Sequence, residues 1–186
     1  MPDFPNSQGQ SLNLTIREAD LDHWAEIRDL HAMAFRRLCD PAIEAQQRDA
    51  FVERIYEPDY THALQTQDLI VAWFDRTIIG TAAWVPLDDR AAIARIASVY
   101  TSPFFGRLGI GALLVRASEE RASLAGYRRF AARTFLPYAG FFERLGYSRS
   151  SHDLERIGTG TGIPVVHLKK GWGADTGNDG GNDDSS

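Results

Sequence analysis

The 186-residue sequence has a single cysteine, Cys39, and only two lysines, the adjacent Lys169 and Lys170. One thiol excludes an intrachain disulfide framework and offers no thiolate cluster, so no metal is expected and the cytoplasm is the default compartment. No apolar run approaches the ~20 residues of a membrane span. The opening MPDFPNSQGQ carries neither a basic region nor an apolar stretch. Neither a membrane partner nor a signal peptide is therefore expected. Positive charge is not in excess: the formal net charge is −5. A nucleic-acid surface, which needs many cationic groups to exchange for counterions, is not expected either. With lysine nearly absent, an anionic ligand would meet arginine forks or backbone N–H groups. The last sixteen residues, GWGADTGNDGGNDDSS, hold four acids, no base and almost nothing apolar. Such a stretch cannot bury enough surface to offset its ordering entropy, so 171–186 is expected to be a disordered acidic tail.

What is present is enough for a core: 44% of the chain is apolar. The expected organisation is a flexible N-terminus (1–10), one domain (11–170) and the tail. Alternation or apolar runs predict strands at SLNLTIREA (11–19), where Leu12, Leu14 and Ile16 share a side, and at DLIVAWF (68–74), TIIGTAAWVP (77–86), AIARIASVYT (92–101) and RRFAART (128–134). Two closing strands follow at about 147–157 and 163–169. Asp75-Arg76 makes a hairpin turn. Asp20 caps a helix running to about Leu38, with Trp24, Ile27 and Leu30 on its apolar stripe. Pro41 starts a second helix to about residue 56, and Pro58 ends that region. Another helix spans Gly111 to Ala125, with Gly126 at its C-terminal cap. Pro137 opens a short one over YAGFFERL, ended by Gly146. Gly158, Gly160 and Gly162 run into Pro164 and a strand, and read as a long hairpin loop. A meander followed by βαβ crossovers gives an α/β fold: a mixed sheet with helices on both faces.

The stretch SPFFGRLGIGALL (102–114) sets Gly106, Gly109 and Gly111 between a strand and a helix. A helix's first turn leaves N–H groups without partners, and the macrodipole adds about half a positive charge there. Together they make an anion site, typically for phosphate. Gly109 and Gly111 let an oxygen approach those amides, and Arg107 can add a fork-shaped donor. The plainer alternative is a tight connection that uses glycine for positive φ. A Walker A loop is excluded, because Ala112-Leu113 follows Gly111 in place of lysine and a hydroxyl. A dinucleotide fingerprint is excluded too, because its third glycine and its acidic ribose ligand are missing.

At these residues the sequence resembles the GCN5-related N-acetyltransferases (GNAT). Their Arg/Gln-x-x-Gly-x-Gly/Ala motif at a helix head corresponds to GRLGIG (106–111). Their Phe-Tyr-Glu-Lys-Leu-Gly-Phe-like helix and turn corresponds to FFERLGY (141–147). The resemblance covers about residues 11–170 and implies a mostly antiparallel sheet with a central splay. It implies acetyl-CoA as co-substrate, with the pyrophosphate on the backbone amides of Arg107, Leu108, Gly109, Ile110, Gly111 and Ala112. The pantetheine arm would lie along Val99, Tyr100 and Thr101, and a backbone N–H near Tyr100 would polarise the acetyl carbonyl. A small-molecule or peptide amine would attack the thioester directly, with no covalent enzyme intermediate.

Two positions depart from that pattern. Gly106 stands where the family has Arg or Gln; Arg107, one place along, points elsewhere. Phe142 replaces the family's frequent general-acid tyrosine. Tyr138, four residues earlier on the same helix face, either serves as the acid or packs against the cofactor arm. Tyr147 occupies an aromatic core position. For a general base the candidates are His31, Asp88, Asp89 and His167, beside a water chain. Their plainer readings are a surface or interface histidine, a solvated turn, and a strand residue paired across the sheet. Arg36 and Arg37 either bind a carboxylate on an amino-acid-like acceptor or form a solvated helix face. Two functions stand: an acetyl-CoA-dependent N-acetyltransferase, or a non-enzymatic acyl-CoA-binding sensor or partner domain of the same fold. A homodimer is expected only by analogy.

Overall fold

The computed structural model describes residues 14–38, 43–156 and 162–172. The 1–10 segment, Leu12, Cys39, Pro41, Gly158, Gly160 and the acidic tail beyond Trp172 lie outside the described residues. Seven strands form one sheet in the order β1-β2-β3-β4-β5-β7-β6. They are β1 (Leu14–Glu18), β2 (Asp68–Phe74), β3 (Thr77–Asp88), β4 (Ile93–Thr101), β5 (Arg129–Phe135), β6 (Ser148–Glu155) and β7 (Ile163–Lys170). All neighbours are antiparallel except β4 and β5. A parallel neighbour needs a crossover, and α4 (Ile110–Leu124) supplies it. The β4–β5 pairing covers only Ile93–Ile96 against Arg129–Ala132. Beyond it the two strands part, which is the splay that the family resemblance implies.

The period of β2 sorts the core into two layers. Leu69, Val71 and Trp73 pack with Ile27 and Leu30 of α1 (Trp24–Leu38) and with Leu64. Ile70 and Ala72 face the other way, onto Ile110 and Leu114 of α4. On the first face, α2 (Ala45–Tyr56) sets Phe51, Val52 and Ile55 against Phe35 and Ile163. On the second, α5 (Ala139–Arg144) adds Ala139 and Phe142 beside Val115 and Ala122 of α4. Ile27, Ile55 and Leu114 are fully buried, each worth about 1.5–3 kcal/mol of apolar transfer.

Three expected boundaries are corrected. A 3-10 turn, Leu21–His23, precedes α1, and Asp20 Oδ1 accepts the Asp22 N–H at 3.2 Å. The second helix begins at Ala45 rather than Pro41, because Glu44 and Gln47 form a capping box; the Glu44 N–H donates to Gln47 Oε1 at 3.1 Å. Pro58 does not end the helical region. It opens a further helix, α3 (Pro58–Gln65), at a first-turn position where its missing N–H costs no bond. The Asp75-Arg76 hairpin and the positive φ of Gly126 (102°) and Gly146 (89°) follow expectation, whereas β3 runs two residues past its expected end at Pro86, to Asp88.

Candidate active site

The splay holds a cavity of about 370 Å³. One wall is the edge of β4 from Ile96 to Thr101, and the other is Arg133 to Phe135 of β5. Gly111 at the head of α4, Ala34 and Phe35 of α1, and Tyr138, Phe141 and Phe142 close it. The wall of β4 is bulged. Ala97 pairs with Ala83 and Tyr100 with Thr81, so Ser98 and Val99 stand against one residue of β3. Ser98 sits at φ 50°, in the left-handed region. Past Ile96, β4 has no ladder to β5 among the described residues, so backbone groups on that edge are offered to the cavity.

At one end of the cavity the glycine turn behaves as its residue types require. Gly109 is the N-cap of α4 at φ 76°, and Arg107 stands at φ 65°. The first helical bond is from the Leu113 N–H to the Gly109 carbonyl, 3.0 Å. The amides of Ile110, Gly111 and Ala112 precede it and have no intrahelical acceptor. A Cβ built on Gly109 would meet nothing within 4 Å, whereas one on Gly111 would lie 3.3 Å from the Phe141 ring. The space before the helix start is therefore open, and the helix sits close to the aromatic wall. This fits a phosphate-bearing cofactor held by backbone.

The face of α1 is built from side chains. His31 is fully buried. Its Nε2 lies 2.8 Å from Thr81 Oγ1, its Nδ1 lies 2.9 Å from the Tyr60 hydroxyl, and its ring stacks on Tyr100 at 4.0 Å. Thr81 donates its one hydroxyl proton to the Ser98 carbonyl at 2.8 Å. It therefore accepts from His31 Nε2–H, which leaves Nδ1 to accept from Tyr60. Ser98 Oγ donates to Gln67 Oε1 at 2.7 Å, and Gln67 Nε2 is tied to the Ala63 carbonyl at 3.1 Å. Burial lowers the His31 pKa to about 3 and, for the hydroxyls of Tyr60 and Tyr100, pushes the pKa upward. All three are neutral near pH 7.

Several predicted residues meet at the cavity: Val99, Tyr100, Thr101, Gly111 and Tyr138 line it, and Phe142 does so with a buried ring set edge-on to Phe141 and Tyr147. Arg107, Leu108 and Gly109 are exposed at the turn, Ile110 is core, and Ala112 is partly buried. Tyr147 is buried, as expected, and its hydroxyl donates to Glu119 at 2.7 Å. Arg36 and Arg37 are exposed and do not line the cavity; the Arg37 guanidinium lies over Phe104. His31 is corrected from a surface or interface residue to a buried one, with both ring nitrogens engaged. Asp88 accepts the Ala91 N–H at 2.9 Å and Asp89 the Tyr127 hydroxyl at 2.5 Å, both at the exposed β3–β4 turn. His167 pairs across the sheet with Arg133 and Ser151, outside the lining. Among the described residues no group of three or more His, Cys, Asp or Glu could hold a metal, and no helix is long and apolar enough to cross a membrane. The sequence does not single out Thr81 or Arg133, and nothing in it pairs Tyr60 with His31. Their partners lie far away in sequence and leave no local pattern.

Residues 24–147 match the profile of the Acetyltransferase (GNAT) family. No curated protein matches significantly. Among solved structures, a GCN5-related N-acetyltransferase from Rhodopseudomonas palustris superposes with a TM-score of 0.76 at 18% identity, covering 88% of this chain and 99% of that one. The paiA N-acetyltransferase of Thermoplasma acidophilum, solved with coenzyme A, gives 0.71 at 12% identity, covering 87% and 100%. The yncA structure from Salmonella typhimurium, with its cofactor acetyl-CoA, gives 0.59 at 18% identity, covering 84% and 92%. At such identities these likenesses establish the fold. The profile match runs from the start of α1 to the tyrosine after α5 and takes in every element that borders the cavity: this chain belongs to the GNAT family of acetyltransferases.

Proposed function

We propose that the protein transfers an acetyl group from acetyl-CoA directly to an amine of a small molecule or peptide. The observation that carries this reading is the cavity. It joins a helix start rich in unpartnered amides to an unpaired strand edge and then to an aromatic chamber. The amides of 107–112, with the Arg107 fork, receive the pyrophosphate. The edge of Val99, Tyr100 and Thr101 receives the pantetheine arm as an added strand would be received. Acetyl-CoA supplies an activated carbonyl and a thiolate leaving group. A backbone N–H near Tyr100 stabilises charge on the acetyl oxygen. Tyr100 and Tyr138 both line the cavity; Tyr100 stacks on His31, and Tyr138, beside Phe142, gives its hydroxyl proton to the departing sulfur, because Phe142 has none to give. The C–N bond forms as the C–S bond breaks, and the proton lost by the amine goes to water. His31 is no base here: burial makes it a poor proton acceptor near pH 7, and both its nitrogens are occupied. The apolar walls exclude bulk water from the thioester.

The competing function is an acyl-CoA-binding sensor or partner domain, favoured by Phe142 in the place of a tyrosine. One experiment separates them. Acetyl-CoA at ~100-fold its dissociation constant should stabilise the protein by about 2.7 kcal/mol in thermal unfolding, and an amine panel should release free thiol. Tyr138→Phe should slow that release by roughly 10²-fold. Stabilisation without thiol release from any amine would favour the sensor. No stabilisation would end both readings.

A further inference from the structure

Arg133 is the one formally charged side chain among the described residues that line the cavity. Its Nη1 lies 2.6 Å from Glu155 Oε2, and Arg54 Nη1 lies 3.0 Å from Glu155 Oε1. Two guanidiniums thus share one carboxylate, and the group keeps one net positive charge. Burial alone would raise the Glu155 pKa, but its hydrogen bonds from Arg133 and Arg54 hold it below the usual carboxylate range. The carboxylate therefore stays ionised and the charge count does not change near neutral pH.

The direction of this cation is set by the strand. Phe135, two residues on and so on the same face of β5, packs on Phe35 and Phe51 at 5.5 and 5.7 Å. Arg54, from α2, lies over Phe51. Arg133 is therefore on the α1–α2 face, where Tyr100 stacks on His31, and away from the face that holds α4. Its side chain is 32% exposed and lines the cavity, so its charge faces the cavity mouth as well as solvent.

We propose that the acceptor is an amine that also carries a carboxylate, as a free amino acid does, and that the Arg133 guanidinium receives that carboxylate. This rests on the acetyl-transfer reading above. Arginine presents five N–H donors in a planar fork, and the contact with Glu155 at Nη1 engages one side of it. A cation nearby also disfavours the ammonium form and favours the neutral amine that must attack. The same charge repels diamines and polyamines. Arg133 takes over the role considered for Arg36 and Arg37, which lie outside the cavity lining.

The test compares pairs of amines differing only at the carboxylate, such as glycine and glycinamide or leucine and leucinamide, with putrescine as a dication. Each is titrated into protein saturated with coenzyme A and assayed for acetylation with acetyl-CoA. The acid should exceed its amide by roughly tenfold or more in affinity and in kcat/KM, as one charge-assisted bond implies, with putrescine last. Arg133→Gln should bring the ratio toward one, mainly through KM. Arg133→Lys should restore part of it, and Glu155→Gln, which removes the competing carboxylate, should keep or widen it. Amides or putrescine matching the acids in wild type would overturn the proposal while leaving acetyl transfer intact, as would a ratio that persists in Arg133→Gln. Protein that binds no coenzyme A would fail the acetyl-transfer reading itself.

Discussion

Gly109 and Ser98 both stand at left-handed φ, 76° and 50°, on two sides of one cavity. They are held there by opposite means. Gly109 has no side chain and open space where one would be, so its conformation carries little strain. Ser98 has a Cβ, and its conformation is held by contacts: Thr81 on its carbonyl and Gln67 on its hydroxyl. The contrast extends to the regions around them. The side of the α4 helix start is made by backbone amides, and the α1 side by a chain of neutral side chains ending at His31. A backbone-made site is fixed by local geometry, whereas a side-chain-made site depends on each partner remaining in place.

The largest effect that would break this comparison lies at His31. Leucine there would leave the Tyr60 hydroxyl and Thr81 Oγ1 without their buried partner, at a cost of about 2–4 kcal/mol. The histidine also carries a pH signature. Burial lowers its folded-state pKa to about 3 from the usual 6.5 of an imidazole. On acidification the unfolded chain takes up a proton first, and the folded chain does so only near pH 3. The stability contribution is thus complete above about pH 6.5 and is lost as pH falls toward about 3, by ~1.4 kcal/mol per unit. Urea titrations of wild type and His31→Leu at about pH 7 and about pH 5 measure both. Equal slopes in the two proteins would mean that His31 is protonated in the fold, contrary to its hydrogen bonds.

The next effect belongs to the other side and should leave the fold nearly intact. Gly109→Arg puts a side chain into the open space before α4 and should abolish the stabilisation of about 2.7 kcal/mol expected from saturating acetyl-CoA. Gly109→Ala separates space from strain, because its Cβ meets nothing. It should cost about 1 kcal/mol of stability for the left-handed conformation. Acetyl-CoA stabilising Gly109→Arg as well as wild type would place the phosphates elsewhere.

This division is also why one half of the site was legible in the sequence. Gly109 and Gly111 at a strand-to-helix junction announce a backbone device, because glycine meets that demand at the least cost, and the FFERLGY helix lies close by. Nothing comparable marks the other half. His31 and Thr81 are 50 residues apart and His31 and Tyr60 are 29 apart. Arg133 reads in RRFAART as an ordinary strand arginine. Pro58 reads as a stop in the sequence, but its first-turn position makes it the start of α3, which carries Tyr60. The meander and the crossover made a mixed sheet legible, whereas the splay was implied only by the GNAT resemblance, and the place of β7 between β5 and β6 has no local signal; the parallel pair parts after four residues on each strand.

The smallest effect is the sharpest on the comparison itself. Ser98→Ala keeps the Cβ and its φ strain but loses the bond to Gln67, and should cost about 1 kcal/mol. Ser98→Gly loses the same bond yet relieves a left-handed penalty of about 1 kcal/mol, so the two changes should nearly cancel. Glycine would then be the better substitute at Ser98, although alanine is usually the milder replacement in a strand. Denaturant midpoints with unchanged slopes would read this directly. If Ser98→Gly were instead the more destabilised, Ser98 would not be strained by its conformation. The bulge would then be fixed by the strand pairing alone, and the two sides of the cavity would differ less than their residues imply.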